Sequence, residues 1–295
     1  MSQPRQIIPG RTYLVTRRCS EQRFFLRPSS KTNEVFSYCL AHAAEVYNVE
    51  LHAVCVMSNH WHVVLTDTDG RLPEFMAWVH KYVAKCLNQY LGRNENLWST
   101  EKYSAQWLPT EAEVIDKIRY VLLNPVKSNL VKQAAHWPGL TSARVVFGSK
   151  TVCFRPNGYF RKNGQMPDKH ILRFSRPPCL RTLSNDDLSA LVNDGVTAGE
   201  AAYGRDRTYP VLGVHAIAGT SPTDQPHVRK RVQGRNLSFT GKSAAVFAYA
   251  MAEVKAFRQA YRAAFTEFSQ GVHETIFPPG TYKLRLLAGV RCASV

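Results

Sequence analysis

The chain is poor in acid. Its 295 residues hold 22 Asp and Glu against 38 Lys and Arg, a formal net charge of +16. A surface so short of carboxylates disfavours basic partners and draws polyanions by screened attraction and counterion release. Also missing is any Cys-x-x-Cys pair. The cysteines at 19, 39, 55, 86, 153, 179 and 292 are odd in number and fit neither a zinc nor a disulfide framework. They are expected to be small buried hydrophobes of a reducing compartment. The opening stretch MSQPRQIIPG lacks the apolar core of a secretory signal. The longest apolar run, 244–252, is too short to span a bilayer. The expectation is a cytoplasmic, nucleoid-associated protein with nucleic acid, and no membrane, as partner.

What is present is enough apolar material for a core: 44% of the residues are hydrophobic and 11% aromatic, which argues against disorder. Residues 12–18 read as a strand. Residues 33–47 have helical spacing, with Val35, Cys39, Ala43 and Val46 on one side. Two β-rich runs, 51–57 and 60–67, are separated by Ser58 and Asn59 alone, as in a hairpin. A helix is predicted over 73–91, with Pro73 in its first turn and Gly92 past its end. A strand is expected over 102–108. Thr110 and Glu113 form a capping box that opens a helix running to about Leu123. Asn124 precedes Pro125, a position that disfavours α conformation, so the helix is expected to end there.

The order β-α-β-β-α-β followed by one more helix predicts an α+β fold: a ferredoxin-like antiparallel sheet with helices on one face and the other face free to hold a site. Residues 1–147 form the expected catalytic domain and 148–295 a basic C-terminal α+β extension. Residues 151–295 carry +10 of the net charge. The extension shows hairpin-like runs near 154–160 and 171–174, a helix over 184–202 and a loop-rich basic stretch over 203–242. A long helix over 243–269 closes it. There Phe247, Ala250, Val254, Phe257, Tyr261, Ala264 and Phe268 make an apolar stripe suited to core packing, and Gly271 suits a C-terminal cap.

The sharpest local signal is Asn59-His60-Trp61-His62-Val63-Val64-Leu65. Alternate side chains of a strand share a face, so Trp61, Val63 and Leu65 pack under helices while His60 and His62 point together to the other side. Two such imidazoles suit one divalent metal, or they are two unrelated histidines on a polar face. In the helix from Glu111, the apolar stripe is Val114, Ile118, Val121 and Leu122, and Tyr120 falls on the opposite side with Asn124 one turn later. A phenol and an amide oxygen are thus offered away from that helix's own core. Phosphodiester cleavage needs a nucleophile, in-line geometry and neutralisation of the phosphate. A phenol attacks poorly unless the phosphate is polarised. A metal on neutral His60, His62 and the Asn124 carbonyl oxygen would polarise it. The phosphotyrosine product would keep the diester's energy for rejoining.

The run VMSNHWHVVL, followed by a helix and then IRYVLLNPVKSNLV, resembles the REP-associated tyrosine transposases, which belong to the single-tyrosine HUH transposases. The resemblance covers roughly residues 10–140. It matches His60 and His62 to the metal histidines, Tyr120 to the nucleophile and Asn124 to the amide that completes the metal site. It implies the HUH nuclease fold and Mg²⁺ or Mn²⁺ as cofactor. It also implies a substrate of single-stranded DNA beside imperfect hairpins, cut to leave a 5′-phosphotyrosine. Members are monomers or homodimers. Ser58 stands where the family usually has proline, and Trp61 is larger than the usual hydrophobic residue there. The stretch FPPGTYKLRLLAGVRCA resembles the tails of a long subgroup.

Arg17 and Arg18 end the first strand, Lys127 follows the tyrosine helix, and Arg229, Lys230, Arg231 and Arg235 form a denser basic run. All seven are candidate DNA contacts. His52 and His80 are expected to be structural, and Trp98, Trp107 and Trp137 to belong to the core. Two other functions fit the same residues: a domesticated HUH endonuclease that no longer moves an element, and a catalytically silent hairpin-DNA-binding regulator.

Overall fold

A computed structural model describes residues 4–143, 146–161, 163–226 and 237–294. The first half runs β1 (Arg11–Arg18), α1 (Ser30–Val46), β2 (Val49–Val56), β3 (His60–Asp67), α2 (Leu72–Tyr90), β4 (Ser104–Trp107) and α3 (Glu111–Lys127). The sheet order is β2-β3-β1-β4, with β3 and β1 central and every pairing antiparallel. This is the ferredoxin-like topology that the element order predicts.

Local chemistry starts each helix. Ser29 Oγ accepts the Thr32 N–H at 3.0 Å to cap α1. The buried Asp67 carboxylate accepts the Arg71 and Leu72 N–H groups at 2.7 and 2.9 Å, joining the end of β3 to the start of α2. Thr110 Oγ1 accepts the Glu113 N–H at 3.4 Å and donates to the Glu113 carboxylate. The second half of the expected box is diverted, because Glu113 Oε1 accepts the Lys242 N–H at 3.1 Å. The β2–β3 turn is the expected two-residue one, closed by Met57 N–H on His60 O at 2.8 Å.

The strands present two apolar faces. Tyr13, Val15, Trp61, Val63 and Leu65 pack under α1 and α2. Leu14, Ala53, Cys55 and Val64 face the other way and pack against Val114, Ile118 and Val121 of α3. Helices one and two thus take one face as predicted, but the opposite face is not left free: α3 covers part of it. The helix also outruns its expected end. Pro125 lies inside it, and α3 continues to Lys127. Pro125 and Val126 are buried, and Ser128 N–H donates to Asn124 O at 3.0 Å. Burial of that turn outweighs the local preference set by proline.

The extension contains β5 (Lys150–Phe154), β6 (Lys169–Arg173), α4 (Asn185–Arg205), α5 (Val214–Gly219) and α6 (Ala244–Ser269). Strands β5 and β6 pair antiparallel, and Cys153, Leu172 and Phe174 bury themselves in the core shared with α1 and α2. Helix α4 lies on α3, and Leu188, Val192 and Val196 join its core. At Gly199 the helices come close: a Cβ would stand 2.4 Å from Leu123 Cδ1, so a larger residue would make that side chain shift. The α6 stripe is less buried than its pattern predicts. Ala250, Phe257 and Ala264 are buried, but Phe247 is exposed. The helix lies at the periphery, where its lower turns pack with Phe277 and Val290. No helix among the described residues is long and apolar enough to cross a membrane.

Candidate active site

The pairing of β1 with β3 puts Thr16 opposite His62 and Arg18 opposite His60. These four residues share the face that α3 approaches, as alternation requires. The imidazoles of His60 and His62 are 4.8 Å apart, centroid to centroid, and perpendicular. Asn59 Oδ1 is 2.6 Å from His60 Nδ1. An amide oxygen only accepts, so this nitrogen carries a proton, and in the neutral ring the lone pair then lies on Nε2. Thr16 Oγ1 lies 2.7 Å from His62 Nδ1. Nε2 of His62 is buried without a hydrogen-bond partner. Burial first, then the neighbouring His60, Arg18 and Lys127, hold the His62 pKa well below 6.5, so the ring is neutral.

From α3, the Tyr120 ring meets His62 edge-on at 5.5 Å. The ammonium groups of Lys117 and Lys127 lie 5.7 and 5.3 Å from its centroid. Burial raises the phenol pKa above 10, while the Asn124 side chain and Arg18 oppose that rise. The phenol is therefore protonated at neutral pH. Asn124 is buried and its Nδ2 donates to the Tyr120 carbonyl at 2.8 Å. That bond orients the amide and leaves Oδ1 as its acceptor end.

A polar cleft of about 210 Å³ opens beside His62 and Tyr120, walled by Thr16, Arg17, Arg18 and Lys102. Arg17 is only partly available: its guanidinium donates to the carbonyls of Ser99, at 2.9 Å, and Glu101. Arg229, Lys230, Arg231 and Arg235 lie outside the described residues. The donor set suits a divalent ion: two imidazoles, one with a buried Nε2 that has no hydrogen-bond partner, and an amide oxygen. Among the described residues no group of three His, Cys, Asp or Glu could hold a metal, so an amide or solvent must complete any site.

Sequence reasoning passed over Thr16 and Lys117. The first was findable from strand pairing and the second from its place three residues before Tyr120. His52 is not part of the site. It sits at a register shift in β2, with Nε2 2.8 Å from Thr66 Oγ1 and Nδ1 2.8 Å from Ser175 O. His80 is buried among Trp61, Trp98 and Tyr103.

Residues 14–121 match the family of IS200-like transposases. The matched segment starts in β1 and ends just after Tyr120, so it includes His60, His62 and Tyr120 and stops three residues short of Asn124. Two solved structures are similar to the chain. One is a REP-associated tyrosine transposase bound to a REP hairpin, at 20% identity and a TM-score of 0.40, over 48% of this chain and 82% of that one. The other is a Deinococcus radiodurans R1 protein described as a transposase, at 18% identity and a TM-score of 0.30, over 41% and 95%. Comparison with curated proteins found no match.

Proposed function

We propose that this chain is a transposase that cuts and rejoins single-stranded DNA beside hairpins, with Tyr120 as nucleophile and a Mg²⁺ or Mn²⁺ ion on His60, His62 and Asn124. The observation that carries the reading is the contact of Tyr120 with His62, whose Nε2 is buried, neutral and without a partner. When bound, the ion would polarise the scissile phosphate and offset its charge. The protein's own groups do the rest. Arg18 and Lys127 draw the strand's phosphates towards Tyr120, and Lys117 adds to that field. Tyr120 Oη forms a bond to phosphorus and gives up its proton. The bond from phosphorus to the 3′ oxygen breaks, and that oxygen leaves as a hydroxyl after taking up a proton. The 5′-phosphotyrosine keeps a diester bond, so a second 3′-hydroxyl can attack it and rejoin the strand without a nucleotide cofactor.

In this reading residues 1–147 supply the chemistry and 148–295 hold the DNA. The hairpin preference rests on the resemblance of the paired motifs. The test is incubation of the full chain with a hairpin-bearing single strand and Mn²⁺, followed by a denaturing gel. A covalent adduct that EDTA prevents is expected. Its absence with every hairpin tried would leave the silent regulator as the better reading.

A further inference from the structure

A second cleft, of about 360 Å³, lies on the other side of the histidine pair. It shares Arg18 with the polar cleft beside Tyr120, and His60 lines it as His62 lines the first. Its walls are of another kind. Phe24, Met57, Leu130, Leu212 and Ile217 give it more apolar than polar surface, and Gln22, Ser58, Asn59, Ser128 and Thr220 complete the lining. One wall is held in place by the extension. Leu212 and Gly213 N–H donate to Asn129 O and Leu130 O at 3.0 and 2.9 Å. Arg27 donates to the carbonyls of Ala218 and Thr220, both at 2.9 Å, and Phe24 N–H donates to Asp224 O at 2.9 Å.

We propose that this cleft takes one unstacked nucleobase of the DNA strand, next to the phosphate that reacts at Tyr120. The inference rests on the transposase reading given above. A polar cationic cleft suits phosphate and sugar, and a largely apolar one with an aromatic ring suits the face of a base. The two clefts meet at Arg18 and the histidine pair, whose rings are 4.8 Å apart, so adjoining parts of one strand reach both. The volume is near the lower end for ligand pockets, about 300–1,000 Å³, which favours a single base. The extension thereby does more than add charge: through Leu212 and Ile217 it builds part of the surface that reads the strand.

The test uses the full chain in EDTA, so that nothing is cut, and a DNA hairpin with a single-stranded tail. An abasic site is stepped through the tail and affinity is measured by fluorescence anisotropy. One tail position is expected at which loss of the base weakens binding about tenfold. Leu212 is 49% exposed, so Leu212→Trp should fold while its indole fills the cleft. It should weaken binding of the intact tail about as much and abolish sensitivity at that one position. Leu212→Ala should retain the sensitivity. No sensitive position, or a Leu212→Trp loss that multiplies with the abasic loss, overturns the base pocket. A missing adduct in Mn²⁺ would instead strike the transposase reading and leave the binding pattern standing.

Discussion

Thr16 Oγ1 lies 2.7 Å from Nδ1 of His62, across the β1–β3 pair. That hydroxyl fixes the ring's orientation and leaves Nε2 as the nitrogen aimed away from the strand. Partners of this kind usually contribute a factor of roughly 10–100 to metal affinity. Thr16→Val keeps the shape and β-branching but removes the hydroxyl. Calorimetric titration with Mn²⁺ should show affinity reduced by about tenfold or more with melting temperature little changed. Equal affinity in the variant would mean that Thr16 does not orient a metal ligand.

Tyr120→Phe removes one oxygen and keeps the ring against His62. Adduct formation should fall below detection, while affinity for a hairpin-bearing strand stays within about twofold, because the phosphate-attracting cations are untouched. Adduct on a denaturing gel with this variant would assign the nucleophile to another tyrosine.

Much of this site was legible in the sequence because a strand has a fixed period of two. Trp61 and His62 had to face opposite ways, and they do. A helix fixes Tyr120 and Asn124 one turn apart in the same way. The end of α3 was not legible. Pro125 is a local signal, and the packing of Val126 and Val131 against the sheet that overrides it is not local. The extension misled for a similar reason. The α6 stripe looks like core, yet the residues that complete the two cores are Phe174, just past β6, Leu188 and Val192 of α4, and Ile217 of the short α5. Truncation near residue 147 would therefore open the catalytic core as well as remove charge.

Acid should unfold the protein through its buried histidines. Burial pushes His42 and His52 down to about 4 and His80 to about 3. Their usual value is about 6.5, so the unfolded chain binds more protons between these limits. The stability from keeping them neutral is whole above about pH 6.5 and is lost as pH falls towards 4 and then 3. Melting temperature should drop steadily from pH 7 to pH 4. His80→Phe replaces an imidazole held among Trp61, Trp98 and Tyr103 by a ring that cannot ionise. Its melting temperature should depend less steeply on pH. An equal slope would show that His80 keeps the same protonation state in the folded and unfolded chain.

The basic run Arg229, Lys230, Arg231 and Arg235 follows Pro226, which stands at the edge of the apolar cleft. If these side chains contact phosphates of the same strand, each releases counterions on binding. For single strands the slope of log affinity against log salt is about −0.7 per phosphate neutralised. Changing all four to alanine should therefore flatten the slope by about 3 and weaken binding most at low salt. The adduct should still form when DNA is in excess, since Tyr120, His60 and His62 are unaltered. An unchanged salt slope would show that the run meets no DNA. A flattened slope with adduct lost at saturating DNA would place the run in the chemistry as well as in binding.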